Sequence, residues 1–217
     1  PITSRPELGE VAGRAMVYVG TGRYLGTSDL VDTRQQSIYA IKDPLTTTGW
    51  GNPRDVDGFV EQTLDTGTCP ANAAVCTAGE PVRTGSSNAV NLATNAGWYV
   101  DLPLTSERST NDPQLALGTL VVTTNVIESS TCTAGGYSFL NFFDYRSGAP
   151  VGTASGVVGV SLGNALATRP AVISLPSGAI KAITRKSNAS TSVNNVPPPQ
   201  VGGATRRLSW RELATEQ

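Results

Sequence analysis

Two cysteines, Cys69 and Cys76, bracket the short stretch Pro-Ala-Asn-Ala-Ala-Val, and the 217-residue chain contains no histidine at all. The bracketed stretch is turn-prone and poor in metal ligands, so the pair reads as a local disulfide formed in an oxidising compartment. The alternative is three reduced, buried cysteines in a cytosolic protein. Cys132, in Thr-Cys-Thr-Ala-Gly-Gly, is then either free or bonded to a cysteine outside this chain. Without histidine, Ser-His-Asp and Cys-His catalysis and histidine-containing zinc sites are excluded, and three cysteines fall short of a four-thiolate site. No residue is assigned a catalytic, cofactor-binding or metal-binding role.

The remaining chemical motifs are weak. Gly20-x-Gly22 follows a strand as a dinucleotide turn does, but Gly26 lies four positions after Gly22 instead of three and no amphipathic helix follows. Asp55-Val56-Asp57-Gly58 matches the middle of a calcium loop, yet Pro53 would stand at its first position and Leu64 at its bidentate twelfth. Asp29 and Asp32, beside Thr27 and Ser28, are a second cation candidate that reads better as a solvated loop. Trp98, Tyr99, Tyr137, Phe139, Phe142 and Phe143 have the chemistry to stack on sugars or bases. They alternate within strands without interleaved basic residues, which favours packing. Asn188-Ala189-Ser190 fits a glycosylation acceptor, meaningful only in a eukaryotic secretory route.

The elements that would carry these residues are strands. Met16–Val19 and Ser37–Asp43 form one candidate hairpin, and Gly97–Pro103 with Leu115–Thr124 a second unit. Tyr137–Asp144, closing at Arg146-Ser147-Gly148, is a third. The last pair, Ala171–Leu175 and Ala179–Thr184, is joined by Pro176-Ser177-Gly178. Aromatic-rich strands ending on an Asp and a turn, repeated at irregular spacing, predict an all-β partial β-propeller of about three to four antiparallel blades. A β-sandwich would alternate equally well.

Within blades spanning 1–186, residues 51–90 read as an insertion carrying the cysteine loop and one helical run, Val56 to Leu64. Residues 187–203, rich in Ser, Asn and Pro, read as an extended linker. Residues 204–217, with Leu208, Trp210 and Leu213, read as an anchor that docks elsewhere, with Trp210 buried against a blade.

Composition agrees with many short strands: 23 Gly, 14 Pro and a single Met. With 16 Lys+Arg against 17 Asp+Glu, the overall charge predicts no nucleic-acid partner. No apolar run approaches the roughly 18 residues of a membrane span. The start at Pro1, with neither Met nor leader, reads as a processing boundary with any export signal upstream.

In order along the chain, Val17–Leu25 with Gln36–Asp43, Phe59–Leu64, Gly97–Pro103 with Ser106-Glu107-Arg108, Cys132–Gly136 running into Tyr137–Asp144, and Arg206–Leu213 resemble the C-terminal β-propeller of the PilC/PilY family, the tip-associated factors of bacterial type IV pili. The similarity runs over residues 14 to 213. Each motif is short, and their succession carries the weight.

The resemblance implies a large exported protein whose N-terminal region adheres or senses while the propeller supports pilus assembly and opposes retraction, with minor pilins as partners. Some family members hold calcium in an acid-rich propeller loop. No Asp-x-Asp-x-Asp run occurs here, so no cofactor is expected in this segment and any such calcium site would lie elsewhere in the full-length protein.

The competing readings are part of a quinone-dependent propeller dehydrogenase, which needs a cofactor and a full ring, and a carbohydrate-binding sandwich whose binding would depend on Trp98. Three or four blades do not close a ring, so exposed edges should be covered by the upstream part of the same polypeptide or by a neighbouring subunit.

Overall fold

The structure, a computed structural model, describes residues 1–55, 58–130 and 133–198. Fifteen strands and two short 3-10 turns make up its elements. The first sheet runs β1 (Glu7–Val11), β2 (Arg14–Gly20), β3 (Ser37–Lys42), β7 (Gly97–Asp101), β4 (Phe59–Gln62). The second runs β5 (Leu64–Thr68), β6 (Pro81–Gly85), β12 (Val157–Gly163), β11 (Thr133–Asp144), β10 (Thr119–Ser130), β8 (Glu107–Arg108), with β9 (Gln114–Ala116) also on β10. The third is β13 (Ala171–Ser174), β14 (Ile180–Arg185), β15 (Thr191–Val196).

Period-two alternation decides how these sheets stack. In β10 and β11, Leu120, Val122 and Phe143 point one way and meet Tyr18, Ile38, Ala40, Trp98 and Val100 of the first sheet. Their neighbours Val121, Leu140 and Phe142 point the other way and meet Ile180, Ala182 and Val196 of the third. Such near-continuous apolar runs are what a strand buried on both faces requires. The seven-stranded sheet is therefore the middle of three layers, and the outer two each bury one face. This is an all-β partial β-propeller, with three blade-like sheets in place of a closed ring.

Several expectations need correction. Over its described part, 58–64, the run expected to be helical is not: Phe59–Gln62 is a strand paired parallel to β7, with Gln62 buried and Glu61 exposed, a two-residue period in a stretch too short to hold a helix by its own propensity. Residues 51–90 are likewise no appended insertion, since β4, β5 and β6 are knitted into two different sheets. Strand β7 does not pair with Leu115–Thr124; it lies between β3 and β4, while β10 pairs with β11 along twelve residues each. Both pairings satisfy the same alternation, so spacing along the chain could not choose between them.

The stretch 187–203 is no free linker over its described part, because Thr191–Val196 adds a third strand to β14 and buries Val196. The Pro197 carbonyl then accepts from Thr119 Oγ1 at 2.7 Å. The expected hairpins β2–β3 and β13–β14 are present in the anticipated segments. Trp210 and the rest of 204–217, Cys132 and Asp57 lie outside the described residues.

Cys69 and Cys76 are joined by a disulfide with Cα atoms 6.0 Å apart. The loop it closes is packed into the structure: Cys69 and Val75 are buried among Val82, Val160 and Val196, and the Ala74 carbonyl accepts from Asn195 Nδ2 at 2.6 Å. By loop-closure entropy a bridge of this length stabilises by roughly 2–3 kcal/mol. Replacing both cysteines by alanine should lower the thermal midpoint by roughly 5–10 °C for a chain of this size. An unchanged midpoint would show that the packing of Val75 and Asn195 alone holds the loop.

Candidate functional site: two open sheet faces and the charges behind them

The expected chemistry resolves into structure at most of the motifs singled out. Gly20 and Gly22 serve close approach, since a Cβ at either position would collide with the Arg108–Ser109 segment; Gly22 also has φ +140°. Asp29 is engaged by its own loop. Its carboxylate accepts from Leu25 N (2.8 Å), Gly26 N (3.1 Å) and Arg23 Nε (2.7 Å), which uses both oxygens. Asp32 is taken by Arg34 at 2.6 Å, and Asp55 accepts from Asn52 Nδ2 at 2.6 Å. Among the described residues no group of three or more His, Cys, Asp or Glu is placed to hold a metal ion.

The same loop shows why Arg108, part of the Ser-Glu-Arg motif, matters. Its guanidinium donates to the carbonyls of Arg23, Asp29 and Asp32 at 2.7, 2.7 and 2.8 Å, pinning the 3-10 turn Thr27–Val31 to β8. The Leu25 amide, with Arg23 and Gly26, holds the Asp29 carboxyl below its ordinary range. A lowered folded-state pKa contributes stability above the unfolded carboxylate value and loses it as pH falls through the folded one. Asp29→Asn should therefore be destabilised at neutral pH and show a smaller loss than the native chain on acidification below about pH 4. Urea midpoints at pH 7 and pH 3 check this; parallel pH curves for the two proteins would contradict it.

Glu107 of the same motif forms the buried polar centre of the middle sheet. Arg83 on β6 reaches it in a two-point contact of 2.7 and 2.8 Å, with Thr124 Oγ1 donating to Glu107 Oε1 at 2.5 Å and Arg83 Nη1 to Asn141 Oδ1 at 3.1 Å. The guanidinium lies over the Phe139 ring. Nearby, a cleft of about 1020 Å³ is bordered by Arg83, Tyr137, Phe139 and Lys181. Its cations are already engaged, Arg83 by Glu107 and Lys181 by Asn195 Oδ1.

The aromatics divide by layer. Trp98, Phe142 and Phe143 are fully buried, so Trp98 presents no surface on which a sugar could stack. Tyr99 is half-buried on the outer face of the first sheet, paired with Tyr39 at 5.8 Å and covered by Arg54, whose guanidinium also pairs with Asp101.

That outer face carries an apolar row. Across it the register aligns Leu8, Val17, Ile41 and Phe59, with Phe59 opposite Gly97, which leaves the row without a side chain at that point. Leu8 is 72% exposed. At the other end of the stack, the outer face of the third sheet aligns Ala171, Ile183 and Val193 beside Ile173, Lys181 and Asn195. Val193 is 61% and Ile173 41% exposed. Apolar rows of this kind on sheet faces mark surfaces of contact.

The three-layer arrangement matches a solved structure. The chain aligns with the C-terminal domain of PilY1 from Pseudomonas aeruginosa at a TM-score of 0.64 and 20% identity, over 91% of this chain and 45% of that one. The fold is that of the PilY1 C-terminal domain. The resemblance read from the ordered motifs is thus borne out at the level of fold, over nearly the whole chain, while this chain spans less than half of the PilY1 structure. No protein-family model and no curated protein matches the sequence.

Sequence reasoning expected uncovered blades without locating the residues of their faces, and it missed the Arg83–Glu107 centre. The faces had a signal in the alternation of β2, β3 and β14, where apolar residues occupy both sets of positions. The Arg83–Glu107 pair, 24 positions apart, had none.

Proposed function

We propose that the chain is a structural, non-enzymatic β-propeller module of an exported, type IV pilus-associated protein, acting in pilus assembly and surface attachment with minor pilins as partners. The observation that carries this reading is the likeness to the PilY1 C-terminal domain over 91% of the chain. The Cys69–Cys76 bridge is consistent with export to an oxidising compartment. No helix among the described residues is long and apolar enough to cross a membrane, which agrees with a module held at a surface by other parts of its assembly.

The architecture supports a scaffold role. Its buried Arg83, Glu107 and Arg108 are spent on holding strands and a loop together, and its two end sheets carry exposed apolar side chains. Calcium, if the protein uses it, is assigned to another part of the polypeptide.

The test is deletion of residues 1–198 from the gene in its native host. Surface pili and attachment should fall several-fold and recover in part when pilus retraction is blocked. Unchanged piliation and attachment would overturn the proposal.

A further inference from the structure

We propose that the segment 204–217, which lies outside the described residues, docks into the cleft shared by the middle and third sheets, with Trp210 as its anchor and Asn194 as the acceptor for the indole N–H. The inference goes beyond the pilus reading and stands without it. It gives the anchor expected from the sequence a place on the molecule, and the occupant is a part of this same chain.

The cleft is the first argument. It measures about 1020 Å³ and is lined by residues of β6, β11 and β12 in the middle sheet, of β14 and β15 in the third, and of the loop closed by the disulfide. Val82, Val160 and Leu162 give it apolar walls, and Val193, 61% exposed, stands at its rim. Asn194 also lines it, and its Oδ1 is buried with no donor reaching it from the described residues. A buried acceptor left unmatched is costly, so the site calls for an apolar group that brings a donor with it. Tryptophan is that group: a large apolar ring system whose single polar atom donates and cannot accept.

Charge is the second. Arg211 and Glu212 follow Trp210 directly in the chain. The cleft carries one charge to match each of them, Glu80 and Lys181, while its third, Arg83, is neutralised by Glu107. Neither Glu80 nor Lys181 has a salt-bridge partner among the described residues. Opposite charges at the rim of an apolar contact fix its orientation.

Reach is the third. The described chain is fastened at Pro197 and Pro198, whose carbonyls accept from Thr119 Oγ1 and Thr153 Oγ1. Asn195, on the cleft, stands three positions before Pro198, which is roughly 10 Å of strand. Trp210 comes twelve positions after Pro198, enough chain to span up to roughly 40 Å. Gly202-Gly203 falls between them, at the point where the chain has to reverse to bring Trp210 back.

The test uses the 217-residue chain. In the native protein, where no substitution can disturb the fold, nuclear Overhauser contacts are expected between the Trp210 indole and the methyl groups of Val82, Val160 or Leu162. Their absence, or contacts of this indole with another part of the molecule, would overturn the proposal. A thermal double-mutant cycle gives a second readout. Asn194→Leu should lower the midpoint by roughly 2–4 °C while Trp210 is present, the loss of one buried hydrogen bond in a chain of this size. In the Trp210→Ala background the same change should leave the midpoint unchanged or raise it, because it then removes only an unmatched acceptor. Equal effects in the two backgrounds would show that Asn194 and Trp210 do not meet, and would likewise overturn the proposal. None of these outcomes would touch the pilus reading, which the deletion tests separately.

Discussion

Glu107→Gln should be the most damaging single polar substitution in the molecule, costing about 3–5 kcal/mol because it leaves the Arg83 guanidinium buried without its counter-charge. The side chains of Arg83 and Glu107 are 5% and 0% exposed, so water cannot replace the lost carboxylate. The loss spreads beyond one pair. Glu107 Oε1 also accepts from Thr124, Asn141 Nδ2 donates to Thr124 Oγ1 at 3.0 Å, and Arg83 donates to Asn141, so strands β6, β8, β10 and β11 are linked through one carboxylate. Arg83→Met with Glu107→Leu removes both charges together and should be clearly less destabilised than Glu107→Leu alone. Urea midpoints of the native, single and double variants make the cycle, and additivity of the two single effects would show that the pair is not coupled.

Trp98→Ala should cost about 3–5 kcal/mol, the usual cost of emptying a large aromatic site in a core. Trp98 is 0% exposed, stands 6.0 Å from the Phe143 ring, and donates from Nε1 to the Tyr145 carbonyl at 3.3 Å. It therefore fastens the first sheet to the middle one. Its site has no slack on one side: Gly148, at φ +73°, lies against the indole so closely that a Cβ there would stand 2.5 Å from Trp98 Cε3. For a chain of this size the thermal midpoint should drop by roughly 10 °C or more. The change separates two roles for this residue. A variant of native stability that has lost glycan binding would return the carbohydrate-binding reading to contention and contradict the packing described here.

The charge division along the chain shows how a whole-sequence value can hide a local one. A net charge of −1 predicts no field, yet residues 1–144 hold 8 Lys+Arg against 15 Asp+Glu, while residues 145–198 hold five basic residues and no acid. The segments become meaningful only once β1, β4 and β14 are known to lie on outer layers. The calcium candidates show the converse. Asp29 had the right chemistry in a loop, and only the structure reveals that the Leu25 and Gly26 amides and Arg23 already occupy it.

By itself the sequence determined that the chain is built of strands, where most of them lie, and that Cys69 and Cys76 are close enough to join. These follow from local causes: alternation with period two, turns at Pro176-Ser177-Gly178 and Arg146-Ser147-Gly148, and a bridge across a short loop. Tertiary structure alone decided which strands are neighbours. It put β7 beside β3 and β4, drew 51–90 into two sheets, and made 191–196 an edge strand. Alternation states which side of a strand is apolar and not which other strand will cover it, and many pairings bury the same side chains equally well. The choice among them is made by long-range contacts such as Arg83 with Glu107 and Trp98 with Phe143, whose partners lie tens of residues apart and leave no mark in the spacing of either segment.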